Sequence, residues 1–245
     1  MRQFFQLIVG SSREQRRALL YGVGAIALML VYLQLGSRGF FIGRLAPGWV
    51  EHPLQLKLWA PLYQFAAAWL LFFLLPVVLL KTLGGETLSG LGLGAGKVRA
   101  GLVVVSLGLV LLALPGGWLA AKMADFRAEY PLAREAVASV GTFILYQLAY
   151  GLLFYLAWEF FFRGVLQLGL SKYLGVWGAL LFQTACSTLL HIGKPWGEVW
   201  AALAAGVLFG LLVMRLQTVW PLVMVHWGLG AATDFFCAGA LGYFG

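Results

Sequence analysis

The chain has 245 residues, of which 62% are apolar and 11% charged, against about 45–50% and about 25% in soluble domains. A 26.7 kDa globule has too much surface to hide that excess. Composition therefore excludes a soluble domain, a disordered chain, a collagen, a coiled coil and a disulfide scaffold, and reads as an all-α, polytopic membrane protein. The net charge of +8 falls in short tracts between apolar runs, which speaks for lipid headgroups and topology rather than nucleic acid.

In chain order, Met1–Arg17 mixes Phe4, Phe5, Leu7, Ile8 and Val9 with later arginines and reads as an interfacial anchor. Uncharged runs long enough to span follow at Ala18–Gly36, Leu58–Leu80 and Ala100–Ala121. The first lacks a small-residue cleavage site and reads as a span rather than a signal peptide. Between the second and third lies Gly84–Gly96, whose glycines suggest a phosphate cradle. It lacks the Gly-Lys-Ser/Thr ending and a preceding strand, so it reads as a flexible loop. A fourth run, Ala136–Trp158, continues past Glu159 and Arg163 to about Ser171. Tyr173–Leu190, Val199–Met214 and Leu216–Thr233 complete about seven spans, with an eighth possible.

The chain divides into an N-terminal part, 1–135, with the interfacial segment and three spans, and a core, 136–245. Basic residues in the loops lean towards an N-terminus inside and a C-terminus outside. No internal repeat of the kind many transporters carry is visible. Cys186 and Cys237 lie inside apolar runs without metal-ligand spacing.

A charge at the centre of a membrane helix costs at least about 2.5–3.5 kcal/mol, so it is paired or functional. The first three spans hold none; the rest contain or border Glu159, Arg163, His191, Glu198, His226 and Asp234. Glu159 and Arg163, four apart, share a helix face. They read either as a self-neutralised ion pair or as a carboxylate oriented by arginine to take a proton from water, in surroundings kept dry by Phe160, Phe161 and Phe162. His191 ends a span. Pro195 suits the first turn of the next helix, where the dipole favours Glu198, so Lys194 and Glu198 have a simple structural explanation. His226 lies within a span and needs a partner; Asp234, eight residues on, is one candidate.

A glutamate and two histidines on successive apolar segments suit intramembrane hydrolysis, with a base for water and donors for the oxyanion. Glu159, His191 and His226 equally suit zinc with an open position. Spacing does not separate the two, and no cofactor is certain.

These residues resemble the CPBP family of intramembrane proteases (CAAX protease and bacteriocin-processing, or Abi, family) over roughly Tyr146–Asp234. The Glu-Glu-x-x-x-Arg motif is similar to Trp158-Glu159-Phe160-Phe161-Phe162-Arg163, followed by Gly164. The Phe-x-x-x-His motif falls on Ser187–His191, and His-x-x-x-Asn/Asp begins at His226. Trp158 stands for the first glutamate, Ser187 for the phenylalanine and Gly230 for the Asn/Asp. The chain thus resembles either a degenerate, non-catalytic member or a single-glutamate branch, typified by His191-x-Gly193-Lys194-Pro195-x-x-Glu198.

The resemblance implies a helical bundle in which Glu159 activates water, Arg163 holds it, and His191 and His226 stabilise the oxyanion. Lys194, Glu198 and Asp234 would support them, Asp234 behind His226. The implied substrate is a membrane-anchored or membrane-proximal peptide, in the plasma membrane of a bacterium. A non-catalytic scaffold and a proton-coupled carrier are the alternatives. Depth arithmetic raises one conflict. At about 1.5 Å per residue, Glu159 and His226 are level, but His191, counted from Tyr173, comes out too far along its span.

Overall fold

The structure, a computed structural model, describes residues 13–48 and 52–244. Residues 1–12, most of the expected interfacial anchor, lie outside the described residues. Among the described residues, six segments are long and apolar enough to cross a membrane. α1 (Arg13–Leu35) and α2 (Gln55–Thr82) are followed by a third segment, Ser89–Ala120, whose continuous helix, α3, occupies 98–120. The fourth segment, Val140–Leu189, has 50 residues. Straight, it would be about 75 Å long, more than twice the ~30 Å hydrocarbon core.

It does not run straight. Gly175 takes φ 68°, ψ 171°, a region essentially reserved for glycine, and the chain doubles back there. Trp158 on one limb and His191 beyond the other end meet ring to ring at 5.1 Å. The two limbs are α4 (140–174) and α5 (176–189). With α6 (Trp196–Leu216) and α7 (Trp220–Ala240), the described chain makes seven passes, as the apolar runs predict.

This turn removes the depth conflict. The sequence reading put the reversal between Ser171 and Tyr173. Gly175 is sixteen residues from both Glu159 and His191, so both limbs return their polar residue to the same level. The start of α4 also moves, from Ala136 to Val140, because Ser139 and Thr142 form a reciprocal capping box. α7 begins at Trp220 rather than Leu216. Gln217 is left-handed, ending α6, and Pro221 opens the next helix.

The second half of α4 is the centre of the bundle. Phe160, Phe161, Phe162, Leu166 and Gln167 are fully buried, as expected of a helical segment surrounded on all sides. α2 holds it through aromatic contacts: Phe72 stacks on Phe161 at 4.5 Å and Phe65 on Tyr150 at 4.3 Å. α3 packs along α7. There Gly117 lies so close that a Cβ would come within 2.6 Å of the Ala232 backbone, a small-residue contact typical of membrane helices.

The Gly84–Gly96 stretch is not the flexible loop expected. Ser89–Leu93 forms a helical turn that puts Leu91 wholly out of solvent. The carbonyls of Gly92 and Gly94 accept from the Thr218 hydroxyl at 3.2 and 2.7 Å, and the Gly92 carbonyl also accepts from the Val219 amide at 2.9 Å. The absence of side chains brings these carbonyls within reach of the α6–α7 turn. The stretch is thereby tied to the core.

Candidate active site

Glu159 and Arg163 lie one turn apart on α4, with side chains 0% and 3% exposed. Arg163 Nε is 3.3 Å from Glu159 Oε2. The guanidinium carbon lies 5.5 Å from the ring centroid of Phe209 on α6, a cation–π placement. The pair is not self-contained. His226 of α7 brings Nδ1 to 2.7 Å from Glu159 Oε1, so α4 and α7 are joined at this carboxylate. Glu159 Oε2 and Arg163 Nε and Nη1 are buried without a hydrogen bond from or to any described residue. Unsatisfied buried polar atoms are rare in folded proteins; here an acceptor and two donors lie side by side on α4.

The proton positions restrict the chemistry. A carboxylate only accepts, so His226 carries its proton on Nδ1 when Glu159 is ionised. Its Nε2 is then an acceptor while the ring is neutral and a donor only when the ring is cationic. His191 behaves alike: Nδ1 is 2.7 Å from the Ser187 carbonyl, which also only accepts, so its neutral ring presents a bare Nε2. Burial, partly offset by the Ser187 hydrogen bond, lowers the His191 pKa from 6.5 to about 4, so His191 is neutral at physiological pH.

His191 is brought to the site through Trp158, whose ring it meets edge-on, rather than by a bond to Glu159. Trp158 is buried and also stacks on Phe154 at 5.5 Å. On its open side His191 Nε2 lies 4.0 Å from Glu198 Oε1. Glu198 accepts from the Tyr130 hydroxyl at 2.8 Å. Lys194 donates to Glu129 at 2.6 Å, and Arg38 donates to the same oxygen at 2.5 Å. Burial acts to raise the Glu129 pKa, but these two cations outweigh it and hold the carboxyl below its ordinary value. Burial, reinforced by Glu198, pushes the Tyr130 hydroxyl well above the usual tyrosine range, so Tyr130 remains a donor.

Two groupings considered from the sequence are not brought together in the structure. Asp234 does not stand behind His226; its Oδ2 accepts from Gln147 of α4 at 2.7 Å. Glu159 has taken the imidazole, and Asp234 lies two turns further along α7. Nor do Glu159, His191 and His226 gather as zinc ligands: among the described residues no three His, Cys, Asp or Glu side chains do so. Glu159 is held by Arg163 and His226, and the His191 Nδ1 is turned to Ser187.

The sequence reading missed four residues. Gln147 is an uncharged polar residue inside a span, a signal that the cost of burying charge does not pick out. Glu129 and Tyr130 lie outside the spans and carried no signal. Tyr155, 5% exposed, lies with its ring 4.7 Å from His226; in an aromatic-rich helix it looks like core packing.

Compared with known families, residues 140–232 match the family described as Type II CAAX prenyl endopeptidase Rce1-like. The matched segment contains Glu159, Arg163, His191, Lys194, Glu198 and His226 and stops short of Asp234. No curated protein and no solved structure matches the chain.

Proposed function

We propose, from the match of residues 140–232 to the Rce1-like CAAX protease family, that this multi-pass membrane protein hydrolyses a peptide bond in a membrane-associated substrate. Glu159 and His226 would form its acid–base unit. The observation that carries the proposal is the buried carboxylate held between Arg163, facing Oε2, and His226, bonded to Oε1. A lone ion pair would need no third partner.

The reaction would run as a water attack on the scissile carbonyl. Glu159 Oε2 takes the proton of the attacking water, Arg163 keeps the carboxylate in place, and a cationic His226 donates from Nε2 to the oxyanion. The proton then passes to the leaving amine. The 2.7 Å bond also favours a second assignment, in which neutral His226 takes the proton on Nε2 and Glu159 stabilises the imidazolium, by the logic of the serine-protease triad. The two differ in which side chain receives the proton of the attacking water, Glu159 in the first and His226 in the second. His191, neutral and with a bare Nε2, would orient water at the mouth of the site, with Glu198 and Lys194 holding that end. The substrate would be a lipid-anchored, signal-bearing or C-terminally tethered peptide, and the setting a bacterial plasma membrane.

The test compares membrane proteomes of host cells carrying the unaltered protein and Glu159→Gln at equal levels of folded protein. A precursor that accumulates only with the variant is the expected result and identifies the cleaved junction. Identical proteomes would overturn the protease reading in favour of a scaffold on the same bundle.

A further inference from the structure

Tyr155 lies one turn before Glu159 on α4, and its ring lies against His226, 4.7 Å between centroids and tilted by 55°. A Cβ added at Gly230 would stand 1.9 Å from the Tyr155 hydroxyl oxygen. The tyrosine has therefore taken the volume into which a side chain at position 230 would project, and only glycine leaves it room. Positions 226 and 230 are one turn apart on a face of α7, where Cβ atoms are about 5–6 Å apart. The hydroxyl thus sits one turn from the His226 Cβ, on the face that carries the imidazole.

A phenol has one O–H proton and can donate it; the Tyr155 ring is held in place by the Tyr150 ring, 4.5 Å away between centroids. Each histidine, when its ring is neutral, has committed its Nδ1 proton, His226 to Glu159 and His191 to Ser187. A developing oxyanion needs donors, and the Tyr155 hydroxyl is one that the neutral site can supply.

We infer that Tyr155 is a catalytic residue, whose hydroxyl donates a hydrogen bond to the scissile carbonyl oxygen as it becomes an oxyanion, in the space a side chain at position 230 would otherwise fill. The tyrosine keeps its proton and forms no covalent bond. The inference rests on the protease reading above and holds for either assignment of the base.

The test uses the full chain in liposomes and a synthetic peptide spanning the junction identified in the proteome comparison. Tyr155→Phe keeps the ring against His226 and removes only the hydroxyl. The expected result is a fall in kcat of about 10²-fold, the scale of losing one oxyanion donor, with KM within about twofold and an unchanged melting temperature. Tyr155→Leu combined with Gly230→Asn returns a donor from the opposite helix and should recover at least about tenfold of the kcat lost in Tyr155→Leu alone. A Tyr155→Phe protein with unaltered kcat, or one that loses melting temperature in proportion to activity, overturns the inference and leaves the protease reading standing. No cleavage by the unaltered protein overturns both.

Discussion

Glu159 and Arg163 are the place to test whether the polar core behaves as one unit. Each side chain is at most 3% exposed, so removing either leaves the other buried and uncompensated, a loss of about 3–5 kcal/mol. At about 2–4 °C per kcal/mol for a chain of this size, Glu159→Gln or Arg163→Met alone should lower the melting temperature by about 6–20 °C. Glu159→Gln belongs near the lower end, because the Phe209 ring still faces the guanidinium. The double variant removes both charges while keeping the volume, and replacing a whole buried pair is often neutral. It should therefore melt no lower than the worse single variant, giving a coupling of at least about 3 kcal/mol. Thermal unfolding of the four purified proteins in one detergent, followed by tryptophan fluorescence, measures the cycle. Losses that add to within about 0.5 kcal/mol would show that the two charges do not depend on each other, and would remove the basis for calling Glu159 held in place.

Three further outcomes follow from the same geometry. Gly175→Ala should cost about 1–3 kcal/mol from backbone strain alone, because no atom lies within 4 Å of the added Cβ; an unchanged melting temperature would refute the reversal there. His191 should contribute a loss of stability on acidification. His191, with its folded pKa lowered from 6.5 to about 4, binds a proton first in the unfolded state. Its contribution is therefore complete above the unfolded value and lost as pH drops between the two. The depressed Glu129 carboxyl adds a loss of the same sign at lower pH. Melting curves across that range should flatten in His191→Gln, and an equally steep fall would refute the assignment. Gln147→Leu strips the buried Asp234 of the donor to its Oδ2 and should cost about 1–3 kcal/mol; Gln147→Leu with Asp234→Leu should cost less, and a larger loss in the double variant would count against a direct bond.

Much of the architecture was legible because the bilayer imposes a simple rule. Backbone groups must be satisfied within each span, so uncharged runs of sufficient length have to be helices, and the seven runs correspond to the seven passes. The cost of intramembrane charge likewise singled out Glu159, Arg163 and His226, which the fold joins at one carboxylate. The family likeness to CAAX proteases was visible for the same reason: its motifs are the few polar residues an apolar chain retains.

What the sequence did not determine was which polar groups face one another. Periodicity placed Asp234 near the face of His226, but rotation of α7 against α4 gave the imidazole to Glu159 and left Asp234 to Gln147. The level of His191 depended on where the hairpin turns, which one glycine with a positive φ decided. The Gly84–Gly96 stretch looked mobile because its glycines have no side chains, and it packs for the same reason: bare carbonyls approach Thr218. Tyr155 owes its place to Gly230, seventy-five residues away. Apolarity and charge are properties of one segment at a time and can be read from the sequence. Depth, helix rotation and close approach are relations between segments, and they exist only once the helices have packed.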